Sequence, residues 1–185
     1  MKRDEPPRLA WGLTGSGHFL KESLEIARGL PNVDLYITRA GAEVLHMYGY
    51  SLKALRGQFR VFRDNTASAA PVGLFYHGHY HTVVVAPATS NTVAKCVWGI
   101  SDTLVTNIFA QAGKCRIPSI VFACDTEPEV TTESPGDWVT LYPRSVDLEN
   151  VEKLKAFERV TVASTLDELR AAIEDRIACL STSSS

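Results

Sequence analysis

The chain holds 185 residues, 45% of them hydrophobic, with a formal net charge of -2 at pH 7. That length suits one domain with a sizeable core. The near-neutral charge offers no footprint for nucleic acid or an anionic membrane surface, and no apolar run approaches the roughly 20 residues that a spanning helix needs.

In chain order, residues 8–14 read as a first strand, and 16–27 as a helix with Phe19, Leu20, Leu24, Ile26 and Ala27 on its apolar face. Gly29 and Pro31 end that helix. Residues 33–38 form a second strand, 40–48 a helix, and 52–55 a helical turn within the poorly legible stretch 49–72. The run Thr82-Val83-Val84-Val85 predicts a buried parallel strand that stops at Pro87. Helices at 92–98 and 102–112 follow, then a strand at 118–123. Residues 127–137, rich in Pro, Thr, Glu and Gly, read as a loop within a flap over 124–140, and 138–142 as a short strand. A helix at 147–157, a strand at 160–163, a capped helix at 164–177 and a frayed tail at 181–185 complete the chain. Strands alternating with helices predict an α/β fold, a three-layer Rossmann-like arrangement with a mostly parallel sheet, as one domain over 1–185.

The cysteines, Cys96, Cys115, Cys124 and Cys179, form no Cys-x-x-Cys pair. Their spacing suits neither zinc nor an iron–sulfur cluster, so reduced and mostly buried thiols are expected and no metal site is assigned. Cys124 ends an apolar run and is placed near the carboxyl edge of the sheet. The charged start, Met1-Lys2-Arg3-Asp4-Glu5-Pro6-Pro7, lacks a signal-peptide core, which makes a cytoplasmic location the expectation.

The most informative segment is Ala86-Pro87-Ala88-Thr89-Ser90-Asn91-Thr92-Val93-Ala94-Lys95. Strand, short polar loop and helix start place hydroxyls, an amide and free N–H groups at the carboxyl end of a parallel sheet, where open α/β folds bind ligands. Pro87 to Thr92 resembles the "PASANT" signature of the homo-oligomeric flavin-containing cysteine decarboxylases, a flavoprotein superfamily. Gly99-Ile100-Ser101-Asp102-Thr103-Leu104 and the pair Thr106-Asn107 resemble the segment that follows it there. Gly12-Leu13-Thr14-Gly15-Ser16-Gly17 matches the amino-terminal turn; its glycines do not form the dinucleotide Gly-x-Gly-x-x-Gly pattern.

The resemblance implies FMN as cofactor. It places Thr14, Gly15, Ser16 and His18 around one part of FMN, and Thr38 with Ala88, Thr89, Ser90, Asn91 and Thr92 around the rest. Asp102 and Asn107 are also expected at the cofactor pocket, and Asn91 and Asp102 each admit a second reading as helix caps. Thr106 and Asn107, about one turn beyond Asp102, would extend a polar stripe toward the pocket. Lys95 reads as structural or interfacial. His77, His79 and His81 would share one face of an extended segment. They are weak candidates, with Asp125, for delivering a proton; metal binding by them is disfavoured.

Two departures argue against decarboxylation. The histidine that those enzymes carry upstream of the signature falls at Gly73, and their Pro-x-Met-Asn clamp is replaced by Cys124-Asp125-Thr126-Glu127-Pro128-Glu129-Val130. The stretches 128–132 and 142–154 resemble instead an archaeal-flavoprotein branch that includes flavin-dependent dihydromethanopterin reductases. This resemblance implies reduction of dihydromethanopterin to tetrahydromethanopterin, with electrons from NAD(P)H or a separate carrier. A flavin-dependent cysteine-conjugate decarboxylase and a non-catalytic FMN electron-transfer module are the alternatives. It also implies a homotrimer or a higher assembly of trimers with FMN at a subunit boundary; Phe75, Tyr76 and Tyr80 suit either such an interface or the core.

Overall fold

The computed structural model describes residues 7–65 and 69–182. The most amino-terminal residues of the chain and 183–185 of the expected tail lie outside that range. Six parallel strands make one sheet: β1 (Arg8–Leu13), β2 (Val33–Ile37), β3 (Arg60–Arg63), β4 (Tyr80–Ala88), β5 (Ser119–Ala123) and β8 (Val160–Ala163), ordered β3-β2-β1-β4-β5-β8. Two further strands, β6 (Val130–Ser134) and β7 (Asp137–Leu141), form a separate antiparallel hairpin. The chain order reverses between β1 and β4. In a doubly wound sheet this switch point opens a crevice at the carboxyl ends of the two strands.

Side-chain alternation along the strands builds two cores. Leu9, Trp11 and Leu13 of β1, with Leu35, Ile37, Val84, Ile120 and Phe122, pack on one face. That face is covered by α1 (Leu20–Arg28), α2 (Arg39–Met47), α3 (Leu52–Arg56) and α8 (Leu166–Thr182). Ala10, Tyr36, Val83, Val85 and Val121 face the other way. There they meet α4 (Ala69–Gly73), α5 (Ser90–Val97), α6 (Leu104–Lys114) and α7 (Ser145–Lys155). The three-layer Rossmann-like architecture therefore follows from the period of two in each strand. Gly12 lets α6 come close: a Cβ there would lie 2.8 Å from Val105 Cγ1.

At the amino ends of the strands, Arg8 forms a 2.6 Å ion pair with the buried Asp34. The Tyr80 hydroxyl donates to Asp34 at 2.7 Å, and Tyr36 donates to Tyr80 at 2.8 Å. The buried carboxylate is thus partnered on both oxygens, as a charge out of water must be. Phe75 and Tyr80 are core residues, 2% and 3% exposed, whereas Tyr76 is 65% exposed.

Several boundaries differ from the sequence expectations. α1 starts at Leu20, because Phe19 takes a left-handed φ of 59° that interrupts the helix. β3 is a strand where none was expected; its arginine-flanked sequence hides a two-residue apolar centre on an edge strand. β4 runs through Pro87 to Ala88. The ladder with β5 shifts register between Val85 and Ala88, so the proline displaces no regular hydrogen bond. β6 replaces the expected loop, joined to β7 by Pro135-Gly136 with Gly136 at φ 99°, a left-handed position suited to glycine. α8 extends to Thr182, so Ser181 and Thr182 are helical rather than frayed.

Candidate functional site

The crevice is built from the loops that leave β1, β2, β4 and β5. Thr14, 1% exposed, stitches the switch point together. Its hydroxyl donates to the Pro87 carbonyl at 2.7 Å and accepts from the Thr89 amide at 3.1 Å. Trp11 Nε1 donates to the Ala86 carbonyl at 2.7 Å, and the Cys124 amide to the Ala88 carbonyl at 3.1 Å. The signature loop is therefore held from β1 on one side and β5 on the other.

The polar side chains of the motif are largely engaged within the protein. Thr89 caps α5, its hydroxyl accepting from the Thr92 amide at 3.2 Å and lying 3.0 Å from the Thr92 hydroxyl. Thr38 caps α2, accepting from the Gly41 amide at 2.9 Å and donating to the Leu13 carbonyl at 3.3 Å. Ser16 lies 3.3 Å from both the His18 carbonyl and Cys124 Sγ. Burial pushes the Cys124 thiol up to about 12, so it is neutral there. The Ser90 hydroxyl donates to the Asp125 carboxylate. Ala88 is buried.

What remains toward the edge is mainly backbone. Among the described residues, the amides of Gly15, Ser16 and Gly17 have no internal acceptor, nor do those of Ser90 and Asn91 in the first turn of α5. The loop can come this close only with glycine: a Cβ at Gly15 would sit 2.7 Å from Ala40 Cβ, and one at Gly17 2.1 Å from the Tyr48 hydroxyl. Unpaired amides and the amino-terminal ends of α1, α2 and α5 at one sheet edge make a cradle for an anion. A flavin phosphate fits that donor set.

Asn91 is exposed in the first turn of α5, and Thr89, not Asn91, is its cap. Asp102 does not cap α6 either; Thr103 does, in a reciprocal box with Thr106. Asp102 instead pairs with Lys95 at 2.8 Å, its side chain 54% exposed. Asn107 donates to the Ser101 and Thr103 carbonyls, both at 3.0 Å, and Thr106 is buried, so these two form no polar stripe.

His77, His79 and His81 are not gathered with the rest. They lie around the start of β4, at the amino edge, about 26 Å from its carboxyl end at the rise of an extended chain. Nor do they share a strand face. His77 is in a 3-10 turn (Leu74–His77), Gly78 turns left-handed after it, and His81 is bonded at 2.7 Å to Thr82. Asp125, at the end of β5, does lie at the crevice.

Three participants, Tyr48, Thr132 and Glu133, were not legible in the sequence, whereas His18 was expected here. His18 Nδ1 shares a 2.8 Å hydrogen bond with Thr132 of β6, and the Tyr48 hydroxyl donates to the Glu133 carbonyl at 2.7 Å. The hairpin is thus fastened over the β1–α1 loop by contacts 114 and 85 residues apart in sequence. Burial holds the His18 imidazole below its ordinary range, against the opposing pull of Asp125 and Glu22. A groove of about 500 Å³ lies beside Thr38 at the ends of β2 and β3. A second cavity, about 360 Å³, is mostly apolar and lies along α6, away from this edge.

A parallel sheet with an amide cradle at its switch point defines a flavoprotein-type nucleotide site. The chain belongs to the Flavoprotein family, whose model matches residues 1–184. It is similar to Burkholderia xenovorans DmrB, solved in complex with FMN and described as a cubic protein cage for redox transfer. The identity is 59%, the TM-score 0.89, and the match covers 98% of this chain and 99% of that one. It is 40% identical over 141 residues to the dihydromethanopterin reductase (acceptor) of Methanosarcina mazei, covering 69% of this chain and 59% of that protein. Against the phenylacrylic acid decarboxylase of Aquifex aeolicus the TM-score is 0.63 at 22% identity over 88% of this chain and 89% of that one, a likeness of fold. The chain thus spans somewhat under two thirds of the curated reductase's length.

Proposed function

We propose that this protein is an FMN-dependent reductase that converts dihydromethanopterin to tetrahydromethanopterin. The observation that carries the reading is the switch-point cradle, Gly15–Gly17 with the first turn of α5, in a chain 59% identical to an FMN-binding redox protein. The likeness to named dihydromethanopterin reductases supplies the substrate class. FMN, when bound, supplies the hydride chemistry, and the protein orients it.

The protein's own share can be assigned. The Gly15, Ser16 and Gly17 amides hold the phosphate, and the α5 amino terminus with the exposed Asn91 carboxamide binds the polar edge of the flavin. Thr14, Thr38, Thr89 and Thr92 act at one remove, fixing the loops that present those amides. His18 and Asp125 are titratable side chains on the β1 and β5 side of the carboxyl edge, so the proton required by the pterin nitrogen is assigned to one of them or to water. The assembly is a homotrimer or a higher array of trimers in the cytoplasm. Decarboxylation is disfavoured by Gly73 and by Cys124-Asp125-Thr126-Glu127 in place of a methionine-bearing clamp.

The test is anaerobic. FMN-loaded protein is photoreduced and mixed with dihydromethanopterin while flavin absorbance is followed. Recovery of oxidised flavin with formation of tetrahydromethanopterin is expected. A flavin that stays reduced with the pterin, while a cysteine conjugate loses carbon dioxide, would mean a decarboxylase. Failure with both would leave an electron-transfer module.

A further inference from the structure

Electrons must reach the flavin from outside, and this inference, which rests on the flavin reading, concerns where they enter. Charge is divided across the sheet. Residues 50–63, which hold α3 and the edge strand β3, carry Lys53, Arg56, Arg60 and Arg63 and no carboxylate. Residues 125–176, which hold the hairpin, α7, β8 and most of α8, carry thirteen carboxylates against six cations. β3 and β8 are opposite edges of the sheet, so a net charge of -2 conceals one positive edge and one negative edge.

The cations of the β3 edge are available to a partner. Lys53 and Arg56 are exposed three residues apart on α3, while Leu55 turns inward. Arg60, exposed at the start of β3, lies over the Phe62 ring at 4.8 Å. Arg28 is tied to the loop between α3 and β3, its Nε donating to Gln58 at 3.0 Å. Among the described residues, none of these four forms an ion pair.

Two observations choose the occupant. The first is the lack of apolar surface: none of the large exposed hydrophobic side chains falls in 50–63, and Trp98, Ile100, Trp138 and Tyr142 lie elsewhere. Lasting contacts between copies bury apolar surface, whereas redox encounters are small, transient and steered by charge. The second is distance. β3 stands two strand spacings, about 10 Å, from β1, whose carboxyl end leads into the amide cradle. A hydride donor must come within about 3.5 Å of its acceptor, so this edge cannot serve a nicotinamide. An electron crosses such a gap without contact. The hairpin, with Glu133 and Asp137 exposed, repels an acidic protein and leaves the β3 edge as its approach.

We propose that the β3 edge, centred on Lys53, Arg56 and Arg60, docks an acidic one-electron carrier protein that reduces the bound flavin. Each carrier gives up one electron, so two oxidised carriers form per flavin reduced, and the two protons come from solvent.

The probe is a reduced, acidic plant-type ferredoxin. It is mixed anaerobically with FMN-loaded protein, and flavin absorbance is followed by stopped flow. The second-order rate constant should fall about tenfold between roughly 0.05 and 0.5 M salt. Lys53→Glu combined with Arg56→Glu should slow reduction about tenfold at low salt and leave FMN affinity at the wild-type value. The control, Lys155→Glu with Arg170→Glu, makes the same change of net charge at the β8 end and should alter the rate less than about twofold. No reduction by ferredoxin, a rate indifferent to salt, or equal slowing by both pairs overturns the assignment. So does tight binding of a single-stranded oligonucleotide that the Lys53 and Arg56 changes abolish while ferredoxin reduction persists, which would give the edge to nucleic acid. The flavin spectrum is read before mixing and pterin is absent, so failures of the flavin reading, of the pterin reaction and of this surface are told apart.

Discussion

Thr14→Val removes the hydroxyl that ties β1 to the signature loop while keeping the side chain's shape. The wild-type hydroxyl sits in a site that is 1% exposed, donates to Pro87 and receives the Thr89 amide. Valine leaves a carbonyl and an amide without their partner. Each such buried group costs about 1–3 kcal/mol. Thr89 is only half-buried and water can reach part of that loss, so the expected total is about 2–4 kcal/mol. That is a large share of the roughly 5–15 kcal/mol that holds a domain folded. Thr14→Ser keeps both hydrogen bonds and loses one methyl, for about 1 kcal/mol. The assay is urea unfolding of flavin-free protein at one fixed protein concentration, with an unchanged slope for all three proteins. FMN titration should follow the same ranking, because the amides of Gly15–Gly17 and α5 lose their common anchor. A valine variant within about 0.5 kcal/mol of the wild type would refute the stitching role, given that distant surface changes cost no more than this. So would a serine variant as unstable as valine.

Gly17→Ala should push Tyr48 off the Glu133 carbonyl, since the new Cβ would lie 2.1 Å from its hydroxyl; faster hydrogen exchange in β6, relieved by adding Tyr48→Ala, checks this. Asn91→Ala should weaken FMN binding by about 1–3 kcal/mol without changing the unfolding midpoint of the flavin-free protein, because the side chain is exposed there; equal FMN affinity in titrations would remove Asn91 from the site. His81 predicts a pH dependence. Burial, reinforced by Arg176, pushes its imidazole down to about 4 from an ordinary 6.5. The folded state therefore binds fewer protons than the unfolded chain between those values, and stability falls as pH drops through that window. The ring is partly exposed, so the loss is discounted to about 1–2 kcal/mol; His81→Gln should flatten the stability–pH curve between pH 6.5 and 4.

Legibility in the sequence tracked how local each interaction is. β1, β2 and β5 could be read because buried parallel strands are short apolar runs, β8 because Val160-Thr161-Val162-Ala163 is an apolar, β-branched run even at the sheet edge, and α2, α5 and α6 because their apolar positions repeat with the helical period. β3 could not, because an edge strand flanked by Arg60 and Arg63 carries little apolar signal. β6 carried a readable one in Val130-Thr131-Thr132 before Pro135-Gly136, but the prolines and glutamates around it suggested a loop. The histidines at 77–81 show a different failure. Their spacing suggests a shared face only on an extended segment, and the left-handed Gly78 breaks that premise. His18–Thr132 and Tyr48–Glu133 join elements far apart in sequence, so no local pattern announces them.

The same distinction explains why the motif is so specific in residue type although its hydroxyls point inward. A loop that presents backbone amides to a phosphate needs those amides unpaired, which means that something else must hold its shape. Thr89 does so by capping α5, Thr38 by capping α2, and Thr14 by bridging the two strands across the switch point. Glycines at 15 and 17 are required by the 2.7 Å and 2.1 Å approaches of Ala40 and Tyr48. Small hydroxylated residues meet these demands because they bond to main chain within one or two residues' reach, where longer polar side chains would fill the crevice. The signature is thus mostly a description of how to leave a handful of amides free, and Asn91, at the start of α5, is the member whose side chain is exposed.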